Sequence, residues 1–190
     1  KPERIWSKLG VEKILRSHVL ATIASGFAHS EEGVYEFFSR TFYAYQYDIR
    51  TIKGMIAKIL KYLDEEDMIE MNGSEVHATT FGLRVAQLYI DPVSATTIRD
   101  AFVNRAPVLT DISFLHMVAH TPDMFPRLRT SSREMDEIAL FADEHGDEFM
   151  LKQPEEWTDR ISYEEFLGEV KTSLVLKSWI EEVSEDEMIG

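Results

Sequence analysis

Two histidines four residues apart are the first place to look for chemistry. His116 and His120, in HMVAH, would lie on one face of a helix, the spacing with which a helix offers two imidazoles to one zinc ion. The protease form of that motif needs Glu directly after the first His as general base, and Met117 stands there instead. Asp123 would be the nearest third ligand, yet histidines near a helix end are more often core or capping residues, so no metal site is expected. Carboxylates crowd DEHGDE (143–148) and EEVSEDE (181–187). Paired acids divide into proton donor and acceptor only when burial drives their pKa values apart, and both runs read as solvated surface. With no cysteine there is no thiol nucleophile, thiolate ligand or disulfide. None of the nine glycines is followed by Lys, so no Walker A loop exists, and neither GxGxxG nor GxSxG occurs. No catalytic residue and no cofactor is expected within this chain, which alone should be inactive as an ATPase.

The basic residues are more specific. In IRTIKGMIAKILKYLDEE (49–66), Ile52, Ile56, Ile59, Leu60 and Leu63 fall in one sector at about 100° per residue. Arg50, Lys58 and Lys61 lie opposite, with Lys53 on the flank and Gly54 and Ala57 keeping that face low. A recognition helix presents Lys and Arg to phosphates and base edges in this way. A plain solvated helix presents them too, and residues alone leave both readings open. Arg127, Arg129 and Arg133, in FPRLRTSSRE, are the basic cluster of the second half, suited to a phosphate contact or an interdomain salt bridge.

The elements that must position these residues follow from periodicity. The chain has 190 residues, 44% of them hydrophobic and 28% charged, enough to build a core in one large or two small domains. No apolar run is long enough to span a membrane, and an intracellular, cytoplasmic setting is expected. The net charge of −14 is uneven: residues 1–90 carry 11 Lys+Arg and 12 Asp+Glu, residues 91–190 carry 9 and 22. Phosphate backbones are repelled by acidic surfaces, so nucleic-acid contact should come from the first half. Helices are expected over 11–28, over 34–46 from an N-cap at Ser30, and over 49–66 from Asp48. MIEM, NGS and EVHAT then form a hairpin, with Asn72-Gly73 supplying the positive φ angles. Three helices and a two-stranded wing is the winged-helix order. A further helix (81–90) capped by Thr80 ends at Asp91-Pro92, because Pro disfavours helix at the residue before it. Beyond it come helices opened by Ser94, by Asp111, by Ser131 or Ser132, and by Pro154 (EEWTDRI), then 162–182 and a last start at Ser184 that stops at Gly190. The fold class expected is mostly α: a winged helix over 1–90 and an all-helical domain over 91–190, joined at Tyr89, Ile90, Asp91 and Pro92. A start at Lys1 and a final helix cut short suggest a piece of a longer chain.

The succession KPERIWSKLG, ILRSHVLATIASGF, FFSRTFYAYQ, FGLRVAQLYIDPVSATTIRDAF and SFLHMVAHTPDM resembles the archaeal Holliday-junction-migration (Hjm-type) DNA helicases. These belong to the Ski-like branch of superfamily 2, akin to helicase Q and the helicase half of polymerase theta. RTFYAYQ and QLYIDPVSA carry the likeness most specifically. The resemblance implies two RecA-like motor domains, which hold ATP and Mg, ahead of a winged helix and a Sec63-like ratchet domain. This chain would be the winged helix plus the start of the ratchet. It implies ATP-dependent, 3′-to-5′ action of the parent enzyme on stalled or branched replication forks. Partners would be single-stranded and forked DNA, bound weakly by this portion, and the motor domains, with no membrane. The family's strand-stepping helix follows a segment like SWIEEVSEDEMI, so Trp179 is not assigned its role. A freestanding winged-helix regulator with an acidic protein-binding half is the alternative.

Overall fold

The computed structural model describes residues 3–103 and 106–184. The chain divides into two compact units, Lys1–Ala95 and Thr96–Gly190.

The first unit is built around α1 (Glu12–Ala24), α2 (Glu31–Ser39), the short α3 (Phe42–Gln46) and α4 (Ile49–Glu65). A hairpin of β1 (Ile69–Asn72) and β2 (Glu75–Ala78) and a helix α5 (Thr80–Leu88) follow. Leu15, Val19 and Leu20 of α1, Val34 and Phe38 of α2, Tyr43 of α3 and the apolar stripe of α4 share one core with Met68, Ile69, Val76 and Val85. The architecture is a winged helix. Its wing gains a third partner where Val76 N–H donates to the His29 carbonyl at 2.9 Å, beside an isolated bridge from Ser30 to Glu75.

The helix expected over 34–46 is two helices. Thr41 interrupts it: its hydroxyl donates to the Phe38 carbonyl at 2.7 Å and accepts from Ala44 N–H at 3.5 Å, ending one helix and capping the next. Core packing explains the break. In a continuous helix Phe38 and Tyr43 would point about 140° apart, whereas both are buried here. The hairpin turn is Gly73-Ser74 rather than Asn72-Gly73, because Asn72 still pairs with Glu75 and Gly73 alone takes a positive φ, +64°. Thr79, not Thr80, caps α5, accepting from Gly82 N–H at 3.0 Å.

α6 (Pro92–Val103) starts two residues before Ser94, because Pro at the first helical position has no N–H to leave unsatisfied. The division between the units falls inside this helix. The second unit continues with α7 (Asp111–His120), α8 (Met135–Glu144) and α9 (Arg160–Ile180). α9 is the central element, packing α7 and α8 through Phe166, Leu167 and Val170. α8 is shorter than its sequence pattern, and EEWTDRI holds a single turn with Trp157 exposed; Asp159 then caps α9 through Ser162 N–H. The start expected after Ser184 lies outside the described residues. No described helix is long and apolar enough to cross a membrane.

Candidate nucleic-acid interface

α4 begins where the Asp48 carboxylate accepts the Arg50 N–H at 2.7 Å, one of the donors a helix start leaves unpaired. Its inner stripe, Ile52, Ile56, Ile59, Leu60 and Leu63, is buried. At about 2 kcal/mol per side chain this burial fixes which face looks outward. Arg50, Lys53, Lys58 and Lys61 are all exposed on the remainder. Lys61 lies 3.5 Å from Glu65, and Lys53 lies 3.6 Å from Glu32 with its ammonium 4.9 Å from the Tyr35 ring centre. Among the described residues Arg50 and Lys58 have no carboxylate partner. Between them a Cβ added to Gly54 would meet nothing within 4 Å, so the backbone lies open.

The charge order along α4 opposes its own dipole. Anions stabilise a helix N-terminus and cations the C-terminus, by about 0.3–1 kcal/mol each. Here Arg50 and Lys53 sit in the first turns, and Asp64 and Glu65 in the last. The wing does not extend the cationic surface, since Glu70 and Glu75 are exposed on it.

Tyr89, Ile90, Asp91 and Pro92, the expected joint, lie within the first unit. Tyr89 ends α5 in the left-handed region (φ 60°) and is 78% exposed. Ile90 packs against the core. Asp91 is buried, takes both arms of the Arg16 guanidinium at 3.0 and 3.1 Å, and accepts Val93 N–H at 2.9 Å. Arg16 also lies over the Tyr62 ring. Pro92 is buried at the first turn of α6.

In the helical unit the arginine cluster separates. The Arg127 guanidinium is 2.9 Å from Glu169 and donates to the Thr121 carbonyl at 3.1 Å and to that of His120, closing the end of α7. Arg129 and Arg133 are exposed. The strap that carries Arg127 and Arg129 lies tightly on α9: Leu128 N–H donates to the Thr172 hydroxyl at 3.1 Å, and a Cβ on Gly168 would stand 2.6 Å from the Leu128 carbonyl oxygen. Strap and helix flank a cleft of about 690 Å³ lined by Phe125, Arg129, Ile161 and Glu164.

His116 and His120 meet a carboxylate rather than a ligand set. His120 Nδ1 is 2.8 Å from Glu169, whereas His116 lies 3.7 Å from it, fully buried and edge-on to Phe149 and Phe166. Burial pushes the His116 imidazole down to about 4, although the Glu169 charge pulls the other way. Among the described residues no group of three His, Asp or Glu is arranged to hold a metal ion.

Sequence reading missed Glu169 and Arg16. Glu169 could have been found: it follows Phe166 by three residues and precedes Ser173 by four, on the buried face of α9. Arg16 carried no such signal, since a basic residue beside an apolar stripe usually reaches solvent.

A winged helix followed by an all-helical domain, with one cationic helix face, is the class of protein these elements define. The family described as "Archaeal helicase, domain 4" matches residues 112–190. Similarity to curated proteins runs along the whole chain. The ATP-dependent DNA helicase Hel308 of Methanocella arvoryzae is 36% identical over 188 residues, covering 97% of this chain and 25% of that protein. Hel308 of Pyrococcus horikoshii is 36% identical over 195 residues (100% and 26%), and that of Methanocaldococcus jannaschii 34% over 191 (100% and 14%). Over its whole length the chain is homologous to part of these archaeal Ski-like superfamily 2 helicases. It spans about a quarter or less of the length of these relatives.

Proposed function

We propose that this chain serves an ATP-dependent, 3′-to-5′ DNA helicase of stalled or branched forks as a non-motor portion. ATP and Mg belong to RecA-like motor domains elsewhere in such a protein. The residues here brace those motors, position the ratchet and add weak, sequence-indifferent contacts to single-stranded and forked DNA. Residues 1–90 are the winged-helix part and 91–190 the beginning of the ratchet, with Tyr89, Ile90, Asp91 and Pro92 as the joint. The left-handed Tyr89 at the end of α5 and the helix start at Pro92 support a break there.

The observation that carries the DNA contact is the outer face of α4. Arg50 stands in the first turn, where the helix dipole disfavours it, and Arg50 and Lys58 have no carboxylate partner among the described residues. Cations kept against local stability and left open to solvent suit a phosphate backbone. Arg129 and Arg133 are the exposed second-half candidates for phosphate, while Arg127 is occupied by Glu169.

The test is fluorescence anisotropy on single-stranded, duplex and forked DNA across a salt series. Binding should be weak, indifferent to sequence and steeply salt-dependent. Reversing the charge of Arg50, Lys53, Lys58 and Lys61 should lower the log–log salt slope by about one for each phosphate that the altered face no longer meets. An unchanged slope assigns α4 to a protein neighbour. Tight binding to one duplex sequence assigns the fold to a regulator.

A further inference from the structure

α4 is not the only outward feature of the winged-helix unit. α3 buries Tyr43 and turns two other rings out: Phe42 is 51% exposed and Tyr45 87% exposed. Their planes lie within 13° of each other, with ring centres 6.3 Å apart. The neighbouring Tyr43–Tyr47 pair, with a buried member, is tilted by 51° at 4.8 Å. Two exposed rings held in one orientation offer flat area on which another ring can stack.

The support beneath them is fixed. Thr41 caps α3, and Tyr43 anchors it to the core. The Gln46 side chain holds a second segment beside it, donating to the Ile5 carbonyl at 2.7 Å and accepting from Ser7 N–H at 2.7 Å. On one helix face Phe42 lies between Tyr45 and Gln46, three and four residues on. The held segment adds Trp6, also exposed, and the cations Arg4 and Lys8. Arg4, Lys8 and, from the start of α4, Arg50 are exposed and have no carboxylate partner among the described residues. With Glu3 and Asp48 also exposed on these segments, the three cations leave them slightly positive in a chain of net charge −14.

We propose that Phe42 and Tyr45 form a stacking platform for the unpaired bases of single-stranded nucleic acid, flanked by cations that meet its phosphates. A protein–protein interface also enriches aromatic rings and Arg but depletes Lys, whereas exposed rings beside both Arg and Lys are the composition of a single-strand site. The proposal goes beyond the phosphate contacts of α4, resting on that reading only for the class of ligand.

The two can fail separately. Anisotropy is measured with a labelled oligothymidylate and with an abasic deoxyribose-phosphate oligomer of equal length at the same salt. Stacking predicts that the oligothymidylate binds about tenfold more tightly. Tyr45→Ala, at a position too exposed to threaten folding, and Phe42→Ala with Tyr45→Ala should erase that preference and leave the salt slope unchanged. Tyr45→Phe should restore it. Charge reversal on α4 should do the converse, flattening the slope and keeping the preference. Equal binding of both oligomers by the unaltered chain, or a preference that survives the double substitution, overturns the platform while the α4 reading stands. No binding of either oligomer at low salt overturns both.

Discussion

The two units bury different kinds of side chain. The winged-helix interior is apolar from α1 to the wing, and its ion pair, Arg16–Asp91, ties α1 to the turn between α5 and α6. The helical unit has smaller apolar clusters, and it places His116 of α7 and Glu169, Thr172 and Ser173 of α9 inside. Apolar burial is indifferent to pH and depends on shape, while a buried charge depends on its partners and on protonation. The first unit should therefore be the one sensitive to added volume, and the second the one sensitive to acid.

Volume gives the largest expected effect. A Cβ on Gly82 would stand 1.8 Å from the Met68 carbonyl oxygen, where α5 crosses the entry to the wing. Met68 is wholly buried, so its backbone cannot retreat. Gly82→Ala should destabilise the winged-helix unit by about 3 kcal/mol. Gly168→Ala presses on Leu128 at 2.6 Å, but that carbonyl belongs to a surface strap that can lift, so about 1–2 kcal/mol is expected there. Urea unfolding followed by amide resonances of α1 and α4, and separately of α7 and α9, distinguishes the units. Equal effects of the two substitutions would mean that the first core is no more rigid than the strap.

Acid comes next. Folded His116 titrates at about 4 against an ordinary value of 6.5, so between those pH values the unfolded chain takes a proton that the folded one refuses. Stability of the helical unit should fall as pH drops through this window, by at most about 3 kcal/mol. The groups around the ring are His120 on α7, Glu169 on α9 and Arg127 on the strap. Lys171 and Ser131 hold the Glu134 carboxyl down to about 2, but this pair is open to solvent and adds little to the acid loss below pH 4.5. In the first unit Tyr35 is displaced the other way, to about 12, by burial and by its hydrogen bond to Glu31. Its contribution is present below pH 10 and lost as pH rises from 10 towards 12. Parallel melts across pH, with His116→Leu as control, check the sign. A first unit that loses stability alongside the second between pH 6.5 and 4 would break the contrast.

The same contrast sets what could be read in advance. The α4 stripe and the wing follow from periodicity and turn chemistry, because each side of those elements meets one environment. So do the cations of the candidate interface, which are defined by being opposite that stripe. The break at Thr41 did not follow, since hydroxyl capping and continuous helix have the same local pattern until Phe38 and Tyr43 must both reach the core. Nor did the exposed Phe42–Tyr45 pair, because which rings of an aromatic-rich segment stay outside is decided by that break. From sequence Arg127 is expected to meet a phosphate or an interdomain partner and Glu169 is not singled out; only the packing of the strap on α9 brings them together.

The smallest expected effect tests whether function shapes the first unit against its stability. Gly54 lies mid-helix on the outer face of α4, where a side chain would meet nothing within 4 Å. Glycine there costs about 0.5–1 kcal/mol relative to alanine, since it surrenders more backbone freedom on folding. Gly54→Ala should therefore stabilise the winged-helix unit by that amount in the urea experiment. If α4 approaches a phosphate backbone closely, the same substitution should weaken binding to forked DNA, because a methyl group would stand between the open backbone and its ligand. A gain in stability with no loss of affinity would place the contact on the side chains of Arg50 and Lys58 alone. A loss of stability would mean that the outer face of α4 is not free in solution, and the reading of it as a nucleic-acid surface would fall.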